Sequence, residues 1–234
     1  MINKLGYKLL HIEGQDDARN QLVKHLHGQL DKYDRLESPT VLINSEESAH
    51  EFLRENPDFN LDPHGYNLDN IQGWKYGEIG VWASNYLGWK EFAESDLDYA
   101  MFMEDDLVIT DNFEKVLSKY LDQLPESWEV FSFYVPGCEY HKFTDAHALG
   151  GKDVCYSYQD WSCACYLINK RSVGRLLESV KSPVTLPIDW HFFRQTHVFE
   201  VYSVRPDSEF ACHLLEGEST FQNTQERKVL NGIL

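Results

Sequence analysis

Short apolar runs alternate with longer stretches of helical periodicity. Tyr7-Lys8-Leu9-Leu10-His11-Ile12 reads as a first strand that ends in a turn at Glu13-Gly14. A helix capped by Asp16 or Asp17 then runs to about Leu30, with Ala18, Leu22 and Leu26 on its apolar stripe. Thr40-Val41-Leu42-Ile43 predicts a second strand, and Asn44-Ser45 caps a short helix near residues 47–55. Residues 56–73 hold Pro57, Pro63, Gly65 and Gly73 and predict a long loop, a kind of connection that is often functional. In residues 77–95, Trp82, Tyr86, Trp89 and Ala93 recur at spacings of four, three and four, which is one face of a helix. These rings suit core anchors, with sugar stacking by one of them as the alternative.

Asp98 to Met103 is an apolar strand that ends in Glu104-Asp105-Asp106. After Leu107-Val108-Ile109 a helix is predicted, capped by Asp111 with Glu114 completing a capping box. Glu129 to Val135 reads as a strand, and 136–153 as a loop whose His141 and His147 suit a lid. A strand through Tyr166-Leu167-Ile168 feeds a helix carrying Val173, Leu176, Leu177 and Val180. Asp189-Trp190-His191 opens a short helix after Pro187, and Val198 to Val204 is a last strand before Phe210-Ala211-Cys212-His213. Strands alternating with helices predict an α/β fold, one domain over residues 1–234 with a mainly parallel central sheet.

Composition narrows the function. The 234 residues carry 38 Asp and Glu against 21 Lys and Arg, a formal net charge of -17, which disfavours phosphate-backbone binding and anionic membrane surfaces. Hydrophobic residues at 42% and aromatics at 14% supply a packed core rather than a disordered acidic chain. The five cysteines have no framework spacing. Cys163 and Cys165, two apart, predict one shared strand face, as small buried thiols or as a metal or redox pair. The first residues lack a signal-peptide core and no 18-residue window is uncharged and apolar, so a soluble, cytoplasmic protein without a transmembrane segment is expected.

An acidic protein can still hold a divalent cation. On a strand, Glu104 and Asp106 share one face and Asp105 takes the other. Converging carboxylates repel unless a cation sits between them, and Mg²⁺ or Mn²⁺ prefers such oxygen ligands. The place suits a ligand site too, because open α/β sheets bind beyond the carboxyl ends of their strands. A solvated turn is the plain alternative for three acids in a row.

The stretch GEIGVWASNYLGWKEFAESDLDYAMFMEDDLVI resembles a signature of glycosyltransferase family 25, which includes lipopolysaccharide and collagen galactosyltransferases. The matching residues are Gly77, Glu78, Ile79, Gly80, Ser84, Trp89, Lys90, Glu104, Asp105 and Asp106, with weaker echoes in 166–172 and Pro187-Ile188-Asp189. Two departures stand out: Asn85 replaces the family's usual His. The stretch His11-Ile12-Glu13 replaces Ile-Asn-Leu and its paired Arg, for one of which Arg19 stands in.

The resemblance implies a GT-A type (Rossmann-like) fold with a nucleotide-sugar-binding half at 1–106 and an acceptor-binding half at 107–234. It implies transfer of galactose or glucose from UDP-galactose or UDP-glucose to an acceptor hydroxyl on a glycan, lipid or protein, with Mn²⁺ or Mg²⁺ as cofactor. Asp106 would bind the metal, Glu104 would complete its shell or hold the ribose, and His213 would be a third ligand, or an ordinary histidine. Asp105, Glu78, Ser84, Arg19 and His11 fall to the donor pocket, and Lys75 to a phosphate or to solvent. If transfer inverts the anomeric centre, Asp189 is the candidate base, with a plain N-cap as its alternative. His191 and His197 are candidate acceptor contacts. A nucleotidyltransferase, a metal-dependent phosphohydrolase and a non-catalytic nucleotide-sugar-binding module are the competing functions.

Overall fold

Five successive buried residues make β1 (Leu5–Leu10) a strand covered on both faces. In the computed structural model, residues 4–12, 17–65, 73–194, 198–209, 212–214 and 230 are described, with the backbone alone at 17–18 and 212–214. β1 pairs in parallel with β2 (Asp34–Arg35) and with β3 (Tyr99–Glu104). β7 (Cys165–Asn169) runs antiparallel between β3 and β5 (Val130–Ser132), and β5 pairs in parallel with β8 (Val201–Val204). β6 (Val154–Tyr156) closes the far edge antiparallel to β8, giving a seven-stranded sheet in the order β2-β1-β3-β7-β5-β8-β6. Five strands therefore share one direction and β7 and β6 oppose it. A separate ribbon pairs β4 (Leu107–Ile109) with β9 (Cys212–Leu214).

Alternation along β3 divides the core in two. Ala100 and Phe102 face α2 (Glu46–Glu55), α3 (Tyr76–Glu94), α5 (Val173–Ser179) and α6 (Ile188–Phe193), while Met101 and Met103 face α1 (Asp17–Gln29) and α4 (Phe113–Leu121). Helices on both faces of a largely co-directional sheet form the α/β class that the sequence predicts. The aromatic stripe of α3 is core: Trp82 and Trp89 are fully buried and stack edge to face at 5.9 Å, so neither offers a face to a sugar. Asn85 is buried as well and accepts a 2.6 Å hydrogen bond from Tyr166, whose hydroxyl accepts from Trp89 Nε1 at 3.0 Å.

Several sequence expectations need correction. Residues 40–43 are no strand, because their polar groups are taken by neighbours: Val41 N–H donates to Ser84 Oγ at 2.8 Å and His11 N–H to Thr40 Oγ1 at 3.2 Å. The N-cap of α4 is Asn112, not Asp111, and its amide side chain turns to Glu209 instead of capping. Asp189 lies inside the first turn of α6, whose N-cap is Pro187. Cys163 and Cys165 enter opposite cores because β7 begins only at Cys165; both are buried thiols outside any disulfide. Residues 136–153 contain two 3₁₀ turns, 137–142 and 145–147, and Lys142 ties the first to Asp160 at 2.8 Å, so this stretch is anchored rather than open. The turn at Glu13-Gly14 and His197 lie outside the described residues.

Gly80 is held small by a backbone. A Cβ there would sit 2.9 Å from the Val41 carbonyl, whereas one at Gly174 in α5 would meet nothing within 4 Å. Gly80→Ala should therefore lower unfolding free energy by about 1–3 kcal/mol despite alanine's better helix propensity. Gly174→Ala should raise it by about 0.5–1 kcal/mol. Urea denaturation of both variants checks the pair, and equal shifts would contradict the contact with Val41.

Candidate active site

Three chain segments meet at the carboxyl end of β3. β1 delivers His11, the turn after β3 delivers Asp105 and Asp106, and antiparallel β7 brings the residues before it back to the same edge. Ala164 C=O accepts from the backbone N–H of Glu104 at 2.8 Å, which fixes that return. Asp105 is gripped from two sides, with His11 Nδ1 2.8 Å from Oδ2 and Arg19 Nη1 donating to Oδ1 at 2.9 Å. The same Arg19 nitrogen lies 3.4 Å from Asp106 Oδ2. Asp106 Oδ1 is buried and has no hydrogen-bond partner among the described residues.

The electrostatics follow from this unequal compensation. Burial, reinforced by Asp106, Asp105 and Asp189, pushes the Glu104 carboxyl up to about 8. Asp106 is raised by burial, against the pull of Arg19. Asp189 is raised to about 6 by burial, although it accepts from Ser162 N–H at 3.2 Å and Trp190 N–H at 2.9 Å; the charge of Glu78 adds to the rise. A carboxylate with two such donors and no cation among the causes of its shift remains ionised at neutral pH and protonates just below it.

Other expected site residues have different placements. Glu78 Oε2 accepts from the Lys75 backbone N–H at 3.0 Å, closing the first turn of α3, with Lys75 as its N-cap. Ser84 is buried and its hydroxyl donates to Gly80 C=O at 2.7 Å while accepting from Val41, which makes it a clamp between α3 and residues 40–43. His191 is core: burial lowers it to about 4, and its ring meets Trp82 edge to face at 5.0 Å. The acceptor-contact expectation for His191 is thereby corrected. The backbone of His213 pairs with Val108 in the ribbon that leaves Asp106, and its side chain lies outside the described residues.

A cleft of about 900 Å³ opens beside His11, between the end of β1, α1 and residues 35–42. Among the described residues, Lys8, Lys24 and Arg35 line it against one carboxylate, Glu37, in a chain whose net charge is -17. Lys8 is buried, which lowers its ammonium to about 8, and it donates to Ser38 C=O. A lysine inside the apolar run of β1 was the available sequence signal for this wall. Among the described residues, no three His, Cys, Asp or Glu side chains gather closely enough to make a complete metal cage. Among the same residues, no helix is long and apolar enough to cross a membrane.

The profile of glycosyltransferase family 25 (LPS biosynthesis protein) matches residues 72–192, from the approach to α3 through the acidic strand end to α6. The chain belongs to glycosyltransferase family 25. A Haemophilus influenzae protein (strain ATCC 51907 / DSM 11121 / KW20 / Rd), named as a candidate glycosyltransferase, is 23% identical over 166 residues, 64% of this chain. The chain spans 58% of the length of that curated relative. Among solved structures, a glycosyltransferase involved in glycosylation of the major capsid of PBCV-1 overlaps 86% of this chain and 82% of its own, at 11% identity and a TM-score of 0.42. A Drosophila β-1,4-galactosyltransferase 7 mutant, complexed with manganese, UDP-Gal and xylobiose, overlaps 88% and 65% at 12% identity and a TM-score of 0.39. Overlaps this loose add nothing to the family assignment. Within the family stretch, the motif residues divide into frame, with Gly80, Ser84 and Trp89 in the core, and edge, with Glu104 to Asp106 at the strand end.

Glu104 carries a sign that can be measured. Its folded value, about 8 against an ordinary 4.5, means that the folded state binds the proton more tightly. That contribution to stability is complete below about pH 4.5 and is lost as pH rises toward 8. In chelator-treated protein, Glu104→Gln should match the parent near pH 5 and exceed it in stability near pH 8. Thermal unfolding across that range checks it, and a difference that does not change with pH would contradict the burial of this carboxyl.

Proposed function

We propose that the protein is a metal-dependent glycosyltransferase that moves galactose or glucose from a UDP-sugar to an acceptor hydroxyl with inversion. The observation that carries this reading is the junction at His11, where a cationic cleft meets a strand end crowded with carboxylates. A nucleoside diphosphate would present anionic oxygens to such a cleft, and a divalent cation held by the carboxylates would offset their charge. The residues fit a hard divalent cation: the donors are oxygens, Asp106 Oδ1 is buried without a partner, and Glu104 lacks the counter-charge that would ionise it. Asp106 and Glu104 would hold Mn²⁺ or Mg²⁺, with His213 as the candidate third ligand. When bound, the cation supplies Lewis-acid stabilisation of the departing diphosphate.

The protein's own groups supply the rest. His11 and Arg19 fix Asp105 and hold the acidic turn against β1 and α1, and His11, which also lines the cleft, connects the two. Lys8, Lys24 and Arg35 attract the anionic donor, and Lys75 at the start of α3 is a further candidate for a phosphate contact. Asp189 is the proposed base. Its value near 6 leaves it ionised at neutral pH yet basic enough to accept the proton of an attacking hydroxyl. Residues 1–106 then form the donor half, and 107–234 carry the acceptor side.

Calorimetry with UDP, with and without Mn²⁺, tests the donor site. The parent should bind UDP in a metal-dependent way, and Asp106→Ala should weaken it by on the order of a hundredfold. Binding that ignores the metal, or no binding, defeats the proposal. For the base, Asp189→Asn should cut turnover by about 10²–10⁴-fold with UDP affinity nearly intact, and the parent's turnover should fall as pH drops through about 6. Unaltered turnover in that variant would leave Asp189 a structural acceptor of two backbone N–H groups.

A further inference from the structure

Trp161 is the exception among the six tryptophans. Its relative exposure is 48%, whereas the other five, Trp74, Trp82, Trp89, Trp128 and Trp190, are each at most 6% exposed. Leaving so large an apolar face in water forgoes part of the stabilisation that burial of a side chain brings. The segment that carries it is held firmly. Buried Gln159 donates from Nε2 to the carbonyls of Trp161 at 3.1 Å and Ser162 at 3.0 Å, while its Oε1 accepts from Ser203 Oγ at 3.1 Å. The Trp161 ring meets Trp190 at 5.0 Å, inclined by 62°, and the Arg194 guanidinium caps Trp190 at 3.6 Å. Asp160 pairs with Lys142 at 2.8 Å and with Arg194 at 3.7 Å.

The next residue is strained. Ser162 takes a φ of +74°, a left-handed conformation uncommon outside glycine. That conformation sends its N–H to Asp189 Oδ2, and two residues later Ala164 C=O accepts from the Glu104 backbone. One short segment therefore joins an exposed indole to both the candidate base and the acidic strand end. A half-exposed ring that meets Trp190 on one side, with the Arg194 guanidinium 6.0 Å from its centre, does not suit an acyl chain, which needs a continuous apolar groove. It suits a pyranose, whose ring C–H groups form one flat apolar face while its hydroxyls reach the polar surroundings.

We propose that Trp161 is the stacking platform for a sugar ring of the acceptor, so that the acceptor of this enzyme is a carbohydrate. The inference rests on the glycosyltransferase reading above and adds the acceptor class and a specificity residue. Asp160 and Arg194, at the platform's edge, are placed to take the sugar's hydroxyls. The indole would position the ring, and Ser162, the next residue, holds Asp189 through its N–H at 3.2 Å.

Saturation-transfer difference NMR on the full chain tests it, with lactose, methyl β-galactoside and methyl β-glucoside as probes. The parent should transfer saturation to the ring protons of at least one probe. Trp161→Ala and Trp161→Leu should reduce that signal by about fivefold, and Trp161→Phe should keep most of it, because an aromatic face and not bulk is required. Equal signals in the parent and Trp161→Leu, or no signal from the parent with any probe, would overturn the proposal. Weaker binding of UDP-galactose but not of UDP in Trp161→Ala would move the platform to the donor sugar and also overturn it. Metal-dependent UDP binding by the parent, read by calorimetry, reports on the donor site alone, so its failure is distinguishable from the failure of the platform.

Discussion

The grip of His11 and Arg19 on Asp105 is the contact on which the site's arrangement depends. It joins the end of β1, the first turn of α1 and the turn after β3, adding the helix and the turn to two strands that the sheet already pairs up to Leu10 and Glu104. It also distributes charge unevenly. Among the described residues, Asp105 receives two partners, Asp106 shares one of them at longer range, and Glu104 receives none of comparable closeness. A buried acid without compensation either takes a proton or awaits a cation. Had Arg19 been centred on all three carboxylates, the turn would be a finished ion-pair network with little to offer a ligand. Because it is centred on Asp105, the strand end is rigid and still electrostatically incomplete.

The reversal of β7 does complementary work on the other side of β3. A strand running with β3 would begin at the opposite edge of the sheet, and the segment before it would lie far from Glu104. Running against β3, β7 begins beside the carboxyl end, with Met103 opposite Cys165. Residues 159–164 are thereby placed at the site, and they reach Asp189 through Ser162. The base candidate and the metal candidate belong to separate elements, β3 and α6, yet the same six residues touch both. This explains how a left-handed serine is tolerated there: Gln159, Asp189 and the β7 pairing hold it from three directions.

Elements were legible in the sequence where one local pattern decided them. The α3 stripe, the strand into Glu104 and the cap at Ser45 all rest on short-range periodicity or capping chemistry, and each is present. The failures have a common cause in partners distant along the chain. Thr40 to Ile43 has the residues of a strand, but Ser84 and His11 claim its hydrogen bonds. Asp111 has the chemistry of a cap, yet the helix begins one residue later. Cys163 and Cys165 were two apart, but the strand that would have aligned them starts at the second. The acidic triplet announced a site, while its asymmetry could not be read: strand alternation stops at Glu104, and the pairing of Asp105 needs residues 86 and 94 positions away. Trp161 gave no signal at all, since a tryptophan in an irregular segment is indistinguishable in sequence from one that is buried.

Charge separates the two halves of the molecule's chemistry. A net charge of -17 repels anions at long range, so the proposed anionic donor would need a local excess of positive charge. Among the described residues, Lys8, Lys24 and Arg35 outnumber the one carboxylate of a single cleft. Lys8 contributes from a buried position in β1, where its aliphatic stem packs near Gly88 and Phe102 of the core. A surface lysine would move with solvent and be screened over about 8 Å at physiological salt. A buried one keeps its field fixed in direction and loses part of its proton affinity in exchange. The cleft's positive charge thus comes from β1, α1 and β2 together, with Lys8 fixed by burial in the sheet and Lys24 supplied by the helix that covers it.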